Sequence, residues 1–298
     1  MQLRHLRTFA TVAQTLNFTR AAERIHLAQS SVTEQIQALE SDLGVPLFDR
    51  SNRRLTLTPA GERLVGYAAE MLRLAGQARS AVADAAGTVS GRLVVGGLET
   101  LCATRLPNLL AAFHRLHPAV DLTVKTADSG ALRSGVRSGD VDVGFCFGDA
   151  PAGPEFRGEA VGQEDLLVML PPNHRLAGRD EIGPEDLADE AFLVTQPGCV
   201  YRRMFDEAFA EDLPHRPKVV GEFASIGSIR GLVQAGLGCA LAPRAALEGG
   251  PDGPLAVGWA GRHRRTPVTM IWRGGRPAAA TAAFLAVARQ GLEAQTRR

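Results

Sequence analysis

Residues 18–40 constrain the chain most. Phe18-Thr19-Arg20-Ala21-Ala22-Glu23-Arg24-Ile25 leads through His26-Leu27-Ala28-Gln29 into Ser30-Ser31-Val32-Thr33-Glu34-Gln35-Ile36-Gln37-Ala38-Leu39-Glu40. Ala22, Ile25, Leu27, Val32, Ile36 and Leu39 recur at helical spacing, so the stretch reads as two short amphipathic helices packed across a tight connection. The remaining face of the second helix, with Gln29, Ser30, Ser31, Thr33, Glu34 and Gln37, is polar rather than charged. Ser, Thr and Gln hydrogen-bond base edges and phosphates, which is the composition a DNA-reading helix needs.

The chain divides into three segments. Residues 1–58 hold short helices that end in a hairpin wing: Pro46–Arg50, a turn at Ser51 and Asn52, then Leu55–Thr58, with Arg50, Arg53 and Arg54 gathered at the tip. A basic wing beside a reading helix suits a grip on the DNA backbone. Residues 59–88 form one long helix, opened at Thr58 or Pro59 and closed by Gly87. Its residues Leu64, Ala68, Met71, Ala75, Ala78, Val82 and Ala85 make a heptad seam with small knobs, expected to pair two copies; packing on its own domain is the alternative. Residues 91–298 alternate strands and helices. Strands are expected at 92–96, 121–126, 141–145, 164–170, 191–195, 218–221 and 268–272. Helices are expected at 106–114, 131–138, 201–209 and 226–235, with an Ala-rich helix at the end. Strand–helix–strand spacing implies a parallel sheet with right-handed crossovers. The pattern divides into one lobe of about 91–161 and 268–298 and another of about 162–267, with a ligand cleft between them.

Composition permits this and narrows the setting. The 298 residues suffice for two or three cores. The net charge of +1 conceals a local excess, because residues 1–58 carry seven arginines against five acids. Lysine occurs only at Lys125 and Lys218, so the arginine abundance reads as coding bias more than as selection for phosphate contacts. The N-terminus has no apolar signal core, and no run nears the roughly 18 apolar residues of a membrane span, so a cytoplasmic protein without a membrane partner is expected. Cys102, Cys146, Cys199 and Cys239 are widely separated, with no metal-ligand spacing, and read as free thiols; no metal or cofactor is expected.

Residues 1–61 closely resemble the LysR-type transcriptional regulators. The resemblance rests on Leu3, Phe9, Phe-Thr-x-Ala-Ala at 18–22 and Gln-Ser-Ser-Val-Thr-x-Gln-Ile at 29–36. It continues through Leu39-Glu40, Leu43-Gly44, Leu47-Phe48, Arg50 and Leu57-Thr58-Pro59-Ala60-Gly61. Looser matches occur at Leu106-Pro107, Phe113, His117-Pro118, Gly139-Asp140-Val141-Asp142 and Gly236-Leu237-Gly238 before Pro243. The resemblance implies an all-α winged helix-turn-helix, a linker helix, and an α/β two-lobed effector domain like a periplasmic binding protein. It implies that Gln29, Ser30, Ser31, Thr33 and Gln35 enter the major groove while Arg50 and Arg54, with Arg53 beside them, hold the backbone. The partners implied are double-stranded DNA, further copies of the chain as a homodimer or homotetramer, and a small-molecule effector held by strand-end loops and helix N-termini. Those loops are 98–102, 128–130, 195–202 and 225–227. Their candidate contacts are Thr100, Leu101, Ser129, Thr195, Tyr201, Arg202 and Ile226, which would suit a carboxylate or other small anion; for the hydroxyls, plain helix capping is the alternative. Thr19 is expected to cap its helix. Glu34 either closes a capping box with Ser31 or accepts from a cytosine amine.

Other functions fit less well. Asp140 and Asp142 resemble a carboxylate pair but lack an accompanying His or nucleophile, and His114 and His117 are too few for a metal site. Gly236-x-Gly238 lacks the third glycine of a dinucleotide fingerprint. A secreted solute-binding protein would share residues 91–298 but has no use for residues 1–58. A redox-sensing regulator of the same architecture, switched through Cys199 or Cys102, is the remaining alternative.

Overall fold

Leu6, Phe9 and Val12 fall on one face of a helix, and their burial makes Leu3–Thr15 the first element, α1. In this computed structural model the described residues are 1–50, 54–85, 89–209, 216–248 and 253–296. The chain divides into two compact units, Met1–Gly91 and Arg92–Arg298.

In the first unit α1 stops at Leu16, whose left-handed backbone (φ 45°) turns the N–H back to the Val12 carbonyl. The next helix, α2 (Phe18–Arg24), is capped by Asn17, whose side chain accepts from the Arg20 N–H at 3.0 Å. Thr19 therefore does not cap it: it lies one residue inside, and its hydroxyl donates to Gln29 Oε1 at 3.2 Å. A tight connection through His26 (φ 54°) leads to α3 (Gln29–Leu43). This helix begins at Ala28 with no side-chain cap, so Ser31 sits within it and the expected capping box with Glu34 does not form. Val32, Ile36 and Leu39 bury against Phe9, Val12 and Ala22, whereas Leu27 stays 42% exposed, outside the core in which helical spacing places it. Each large side chain fully buried this way contributes about 1.5–3 kcal/mol.

The wing is a short antiparallel pair, β1 (Phe48–Asp49) with β2 (Thr56–Leu57), in which Phe48 faces Leu57. Then comes α4 (Pro59–Ala85), capped by Thr58, whose Oγ1 accepts from the Gly61 N–H at 3.1 Å and donates to the Pro46 carbonyl at 2.8 Å. The heptad seam on α4 is split. Leu64, Ala68 and Met71 pack against the core of their own unit, because α4 lies along α1, so this half of the seam follows the alternative of packing on its own domain. The exposed large apolar residues of α4 are Val65, Tyr67 and Leu74, off the seam, and Val82 in its second half, the last 75% exposed. The side chain of Ala85, and Gly87, lie outside the described residues.

The second unit begins with β3 (Gly91–Gly97), α5 (Glu99–Thr104) and α6 (Leu106–Leu116). It continues through β4 (Val120–Thr126), α7 (Ser129–Ser138), β5 (Val143–Phe147) and β6 (Phe156–Leu170). Next are β7 (Glu181–Ile182), β8 (Ala191–Thr195), α8 (Val200–Ala208), β9 (Lys218–Phe223) and α9 (Ile226–Gln234). The unit closes with β10 (Ala240–Pro243), β11 (Leu255–Trp259), β12 (Arg265–Arg273) and α10 (Ala279–Thr296). The segment 98–102, expected as a loop, is mostly the start of α5.

Strand β6 belongs to both lobes. Residues 156–165 pair antiparallel with β12, in a sheet ordered β4-β3-β5-β12-β6. Residues 166–170 then pair with β10 on one side and β11 on the other. The expected parallel sheet is thus a mixed one: β3 and β5 run parallel, while β12 opposes both β5 and β6. Helix α10 returns to the first lobe, where Phe284 meets Phe113 edge-on at 5.2 Å and Phe145 at 6.2 Å. In the second lobe β8 and β9 are parallel, and a bridge from Phe192 to Cys239 joins β8 to the start of β10.

A Cβ on Gly61 would stand 2.2 Å from the Leu47 carbonyl oxygen, a backbone atom that also accepts from the Thr58 N–H. Gly61→Ala should therefore destabilise the first unit by about 1–3 kcal/mol despite alanine's higher helix propensity. Thermal unfolding followed by circular dichroism checks this; an unchanged or raised midpoint would contradict the packing described.

Candidate functional site

On the first unit α3 presents Gln29, Ser30, Glu34 and Gln37 as exposed residues, with Ser31 and Thr33 half-buried beside them. The Gln29 carbonyl oxygens are both engaged: the side-chain oxygen accepts from Thr19 and the main-chain oxygen from Thr33 at 3.0 Å. The Gln29 side chain is thereby oriented, with its amide N–H groups left to donate. Gln35 differs from the rest of the expected reading set. Its Oε1 accepts at 2.6 Å from the hydroxyl of buried Thr8, so it ties α3 to α1 rather than projecting with Gln29 and Ser30.

The three wing arginines have different fates. Arg50 lies over the Phe18 ring at 5.0 Å and pairs with Glu40 at 3.2 Å. Glu40 also accepts from the Leu47 and Phe48 N–H groups at 2.8 and 3.2 Å, so this one carboxylate joins α3 to β1, and Arg50 extends the link to α2 through Phe18. Arg50 is thus a held arginine with part of its charge compensated, although it is exposed, as Arg54 is. Arg53 lies outside the described residues.

In the second unit the expected ligand residues separate into three groups. Thr100 and Tyr201 meet: the Thr100 hydroxyl is hydrogen-bonded to the Tyr201 phenol, joining α5 of the first lobe to α8 of the second. The Tyr201 ring lies edge-on to Phe147 at 6.1 Å, and burial holds its phenol well above the ordinary range. Thr195 stands alone. It is 2% exposed, and its Oγ1 is a buried hydroxyl without a hydrogen-bond partner. Such a group costs free energy unless something completes it. Ile226, the first residue of α9, is buried, and Ser129, the first residue of α7, is half-buried.

Two candidates are not placed as a ligand would require. Leu101 is fully buried in the core. Arg202, expected as a countercharge for an anion, is already compensated: its Nη1 lies 2.6 Å from Glu222 and its Nε 3.2 Å from Asp206. These hydrogen bonds and charges raise its pKa against a smaller effect of burial. The i, i+4 spacing of Arg202 and Asp206 on α8 explains the pairing.

The helix ends refine the electrostatics. Asp128 caps α7, accepting from the Gly130 and Ala131 N–H groups at 2.8 Å each, so an acid of the chain itself occupies that positive end. Glu99 sits in the first turn of α5, and Ser225 caps α9. Helix α8 begins at Cys199 with no side-chain cap, directly after the Thr195 strand end. Neither Thr100 nor Ser129 serves as a cap hydroxyl.

The groups weighed for catalysis or metal binding have structural uses. Asp140 and Asp142 precede β5 rather than alternating along it, and they accept from Ser138 Oγ and the Val94 N–H respectively. His117 ends α6 with its ring 4.9 Å from Phe113. The Arg105 side chain, which no sequence motif marks, pairs with Glu164 on β6 at 2.5 Å and with Glu248 at 2.6 Å, and Glu164 also accepts from the Ala245 N–H.

The thiols differ in setting. Cys146 and Cys239 are buried, while Cys102 and Cys199 are half-buried. Burial, with the Glu99 charge adding to it, pushes the Cys102 thiol up to about 11. Because the thiolate is the nucleophile and appears only as pH approaches that value, Cys102 is a poor switch near neutrality. At pH 8 Cys102 should alkylate roughly two orders of magnitude more slowly than an unperturbed thiol. Timed iodoacetamide labelling with peptide mass spectrometry reads this, and labelling at the rate of free cysteine would refute it.

Comparison with known proteins agrees with this arrangement. The family described as bacterial regulatory helix-turn-helix protein, lysR family, matches residues 3–62, and the LysR substrate binding domain matches residues 86–293. The chain is 32% identical over 249 residues to the uncharacterised HTH-type transcriptional regulator YwqM of Bacillus subtilis, covering 83% of this chain and 84% of that protein. It is 34% identical over 239 residues to the transcriptional regulator CbbR of Xanthobacter flavus, covering 80% and 71%. Among solved structures, full-length OxyR from Pseudomonas aeruginosa superposes with a TM-score of 0.74 at 26% identity, covering 98% of this chain and 94% of that one. Full-length CbnR in complex with its target DNA gives 0.68 at 28% identity, covering 98% and 100%. Among the described residues no helix is long and apolar enough to cross a membrane.

Proposed function

The chain belongs to the LysR family of transcriptional regulators, and from that premise we propose how its own residues divide the work. Residues 1–58 read DNA, residues 59–88 pair two copies, and residues 91–298 bind a small effector, in the cytoplasm where the operator is. The observation that carries the DNA reading is the outer face of α3 beside the wing, polar over residues 29–37 and charged there only at Glu34. Gln29, Ser30, Ser31 and Thr33 read bases, Arg54 and Arg53 grip phosphate, and Arg50 and Gln35 hold the reading helix in place. Homodimers form through the exposed apolar residues Tyr67, Leu74 and Val82 of α4, with a dimer of dimers as the larger assembly.

Footprinting on the upstream intergenic DNA across a salt series tests this division. Two protected half-sites, about one helical turn or a multiple apart, are expected. Arg54→Ala should weaken all sequences alike and reduce the salt slope by about one, while Gln29→Ala should relax preference at one base step by about 1–3 kcal/mol. If both changes act alike, the sorting into grip and readout is wrong.

For the effector, the reading is a small molecule with a carboxylate or other anionic group, held between the lobes. Its acceptor end sits at the uncapped start of α8 and is completed by the Thr195 hydroxyl, while its body displaces the Thr100–Tyr201 contact. Arg202 stays paired within α8 and Asp128 keeps α7 closed to anions, which leaves α8 as the favoured end. A ligand shifts the regulator only by its differential affinity for the two lobe arrangements. In a thermal-shift screen of small metabolites, a stabilising carboxylate should lose most of its effect in Thr195→Val and keep or increase it in Tyr201→Phe, which removes the contact that the ligand must displace. A hit that stabilises Thr195→Val as it does the native protein would contradict this placement.

A further inference from the structure

Three side chains far apart in sequence converge in the second lobe. His174 lies in the turn after β6, Glu190 directly precedes β8, and Cys239 directly precedes β10. The approach is enforced by backbone: the Cys239 N–H donates to the Ala191 carbonyl at 2.7 Å, and the Leu193 N–H donates to the Cys239 carbonyl at 2.8 Å. Gly238 makes it possible, since a Cβ there would stand 2.7 Å from the Ala191 oxygen. His174 Nε2 is 3.1 Å from Glu190 Oε2 and 3.7 Å from Cys239 Sγ, and one ligand atom from each residue falls within 4.8 Å of the others. Among the described residues this is the one group of three such donors brought so close.

We propose that His174, Glu190 and Cys239 form a binding site for a divalent cation of the zinc class. Zinc bonds of about 2.0–2.3 Å to nitrogen, oxygen and sulfur place tetrahedral ligand atoms about 3.3–3.7 Å apart. Two of the three separations already meet that within a few tenths of an ångström, and the sulfur–oxygen edge lies within 4.8 Å. A set of one imidazole, one carboxylate and one thiol selects zinc over magnesium or calcium, which take oxygen. The fourth position falls to water.

The surroundings orient the donors. Arg175 holds Glu190 Oε1 at 2.8 Å, which leaves Oε2 facing His174 and Cys239, and Arg175 itself is fixed on the Asp186 carbonyl. His174 Nδ1 accepts from the Leu176 N–H at 3.3 Å, so in the metal-free protein the ring proton is on Nε2 and donates to Glu190. Cation binding moves that ring proton to Nδ1, ends the Leu176 contact, and releases the Cys239 thiol proton to solvent. The cation supplies the positive charge that the thiolate needs, and in doing so ties the starts of β8 and β10 to the turn after β6.

The test uses the full chain, stripped with chelator and dialysed. Zinc titration by calorimetry should show about one equivalent bound per chain, with a raised thermal midpoint. Cobalt in place of zinc should give a thiolate charge-transfer absorption that Cys239→Ser abolishes and Cys199→Ser retains. Glu190→Gln, which keeps the size of the side chain, should weaken zinc by at least about tenfold with the circular dichroism spectrum unchanged. It also serves as the deciding variant if Cys239→Ser does not fold. No saturable zinc binding, or a cobalt absorption that survives in Cys239→Ser, would overturn the site and leave the three side chains as a hydrogen-bonded cluster.

Discussion

A carboxylate with almost no access to water needs compensation, and Glu164 is such a group in the middle of β6. One oxygen meets Arg105, between α5 and α6, and the other meets the Ala245 N–H after β10. Glu164 stands where β6 passes from pairing with β12 to pairing with β10 and β11. The first-lobe helices, the second-lobe strands and the Glu248 segment therefore converge on one buried charge. Removing Arg105 would leave the buried Glu164 charge with only the Ala245 N–H, whereas Arg105 without Glu164 would keep Glu248; the pair fixes geometry even where it adds little net stability.

The first unit uses the same device at smaller scale. Glu40 satisfies two wing N–H groups and the Arg50 guanidinium, while Thr8 and Gln35 bond across α1 and α3. Residues that resemble DNA contacts by position are thus shared between reading and holding. These contacts fix the angle between α3 and the start of the wing.

Much of this is legible in the sequence, for identifiable reasons. Helices α1 to α4 are set by apolar spacing, and the wing by turn residues between two β-prone runs. The first half of the α4 seam reads as a dimer surface because periodicity shows that a face is apolar but not which neighbour covers it. Thr19 competes with Asn17 for the cap of α2, and the two lie only two positions apart at a helix start, where side-chain patterns are least informative. Arg202 looks like a free cation because its partner Glu222 arrives from β9, twenty residues on. The Arg105–Glu164 pair and the His174, Glu190 and Cys239 group are assembled by sheet topology from residues 59, 16 and 65 positions apart, and no local spacing announces them.

Gly61 allows the first turn of α4 to rest on the Leu47 carbonyl with no side chain between them. The helices of the first unit otherwise meet through side chains that can change rotamer and absorb small displacements. At this junction backbone meets backbone, and no compliant layer exists. Helix α4 therefore meets the residue that leads into the hairpin through main-chain atoms, and any side chain at position 61 would have to displace one of the two.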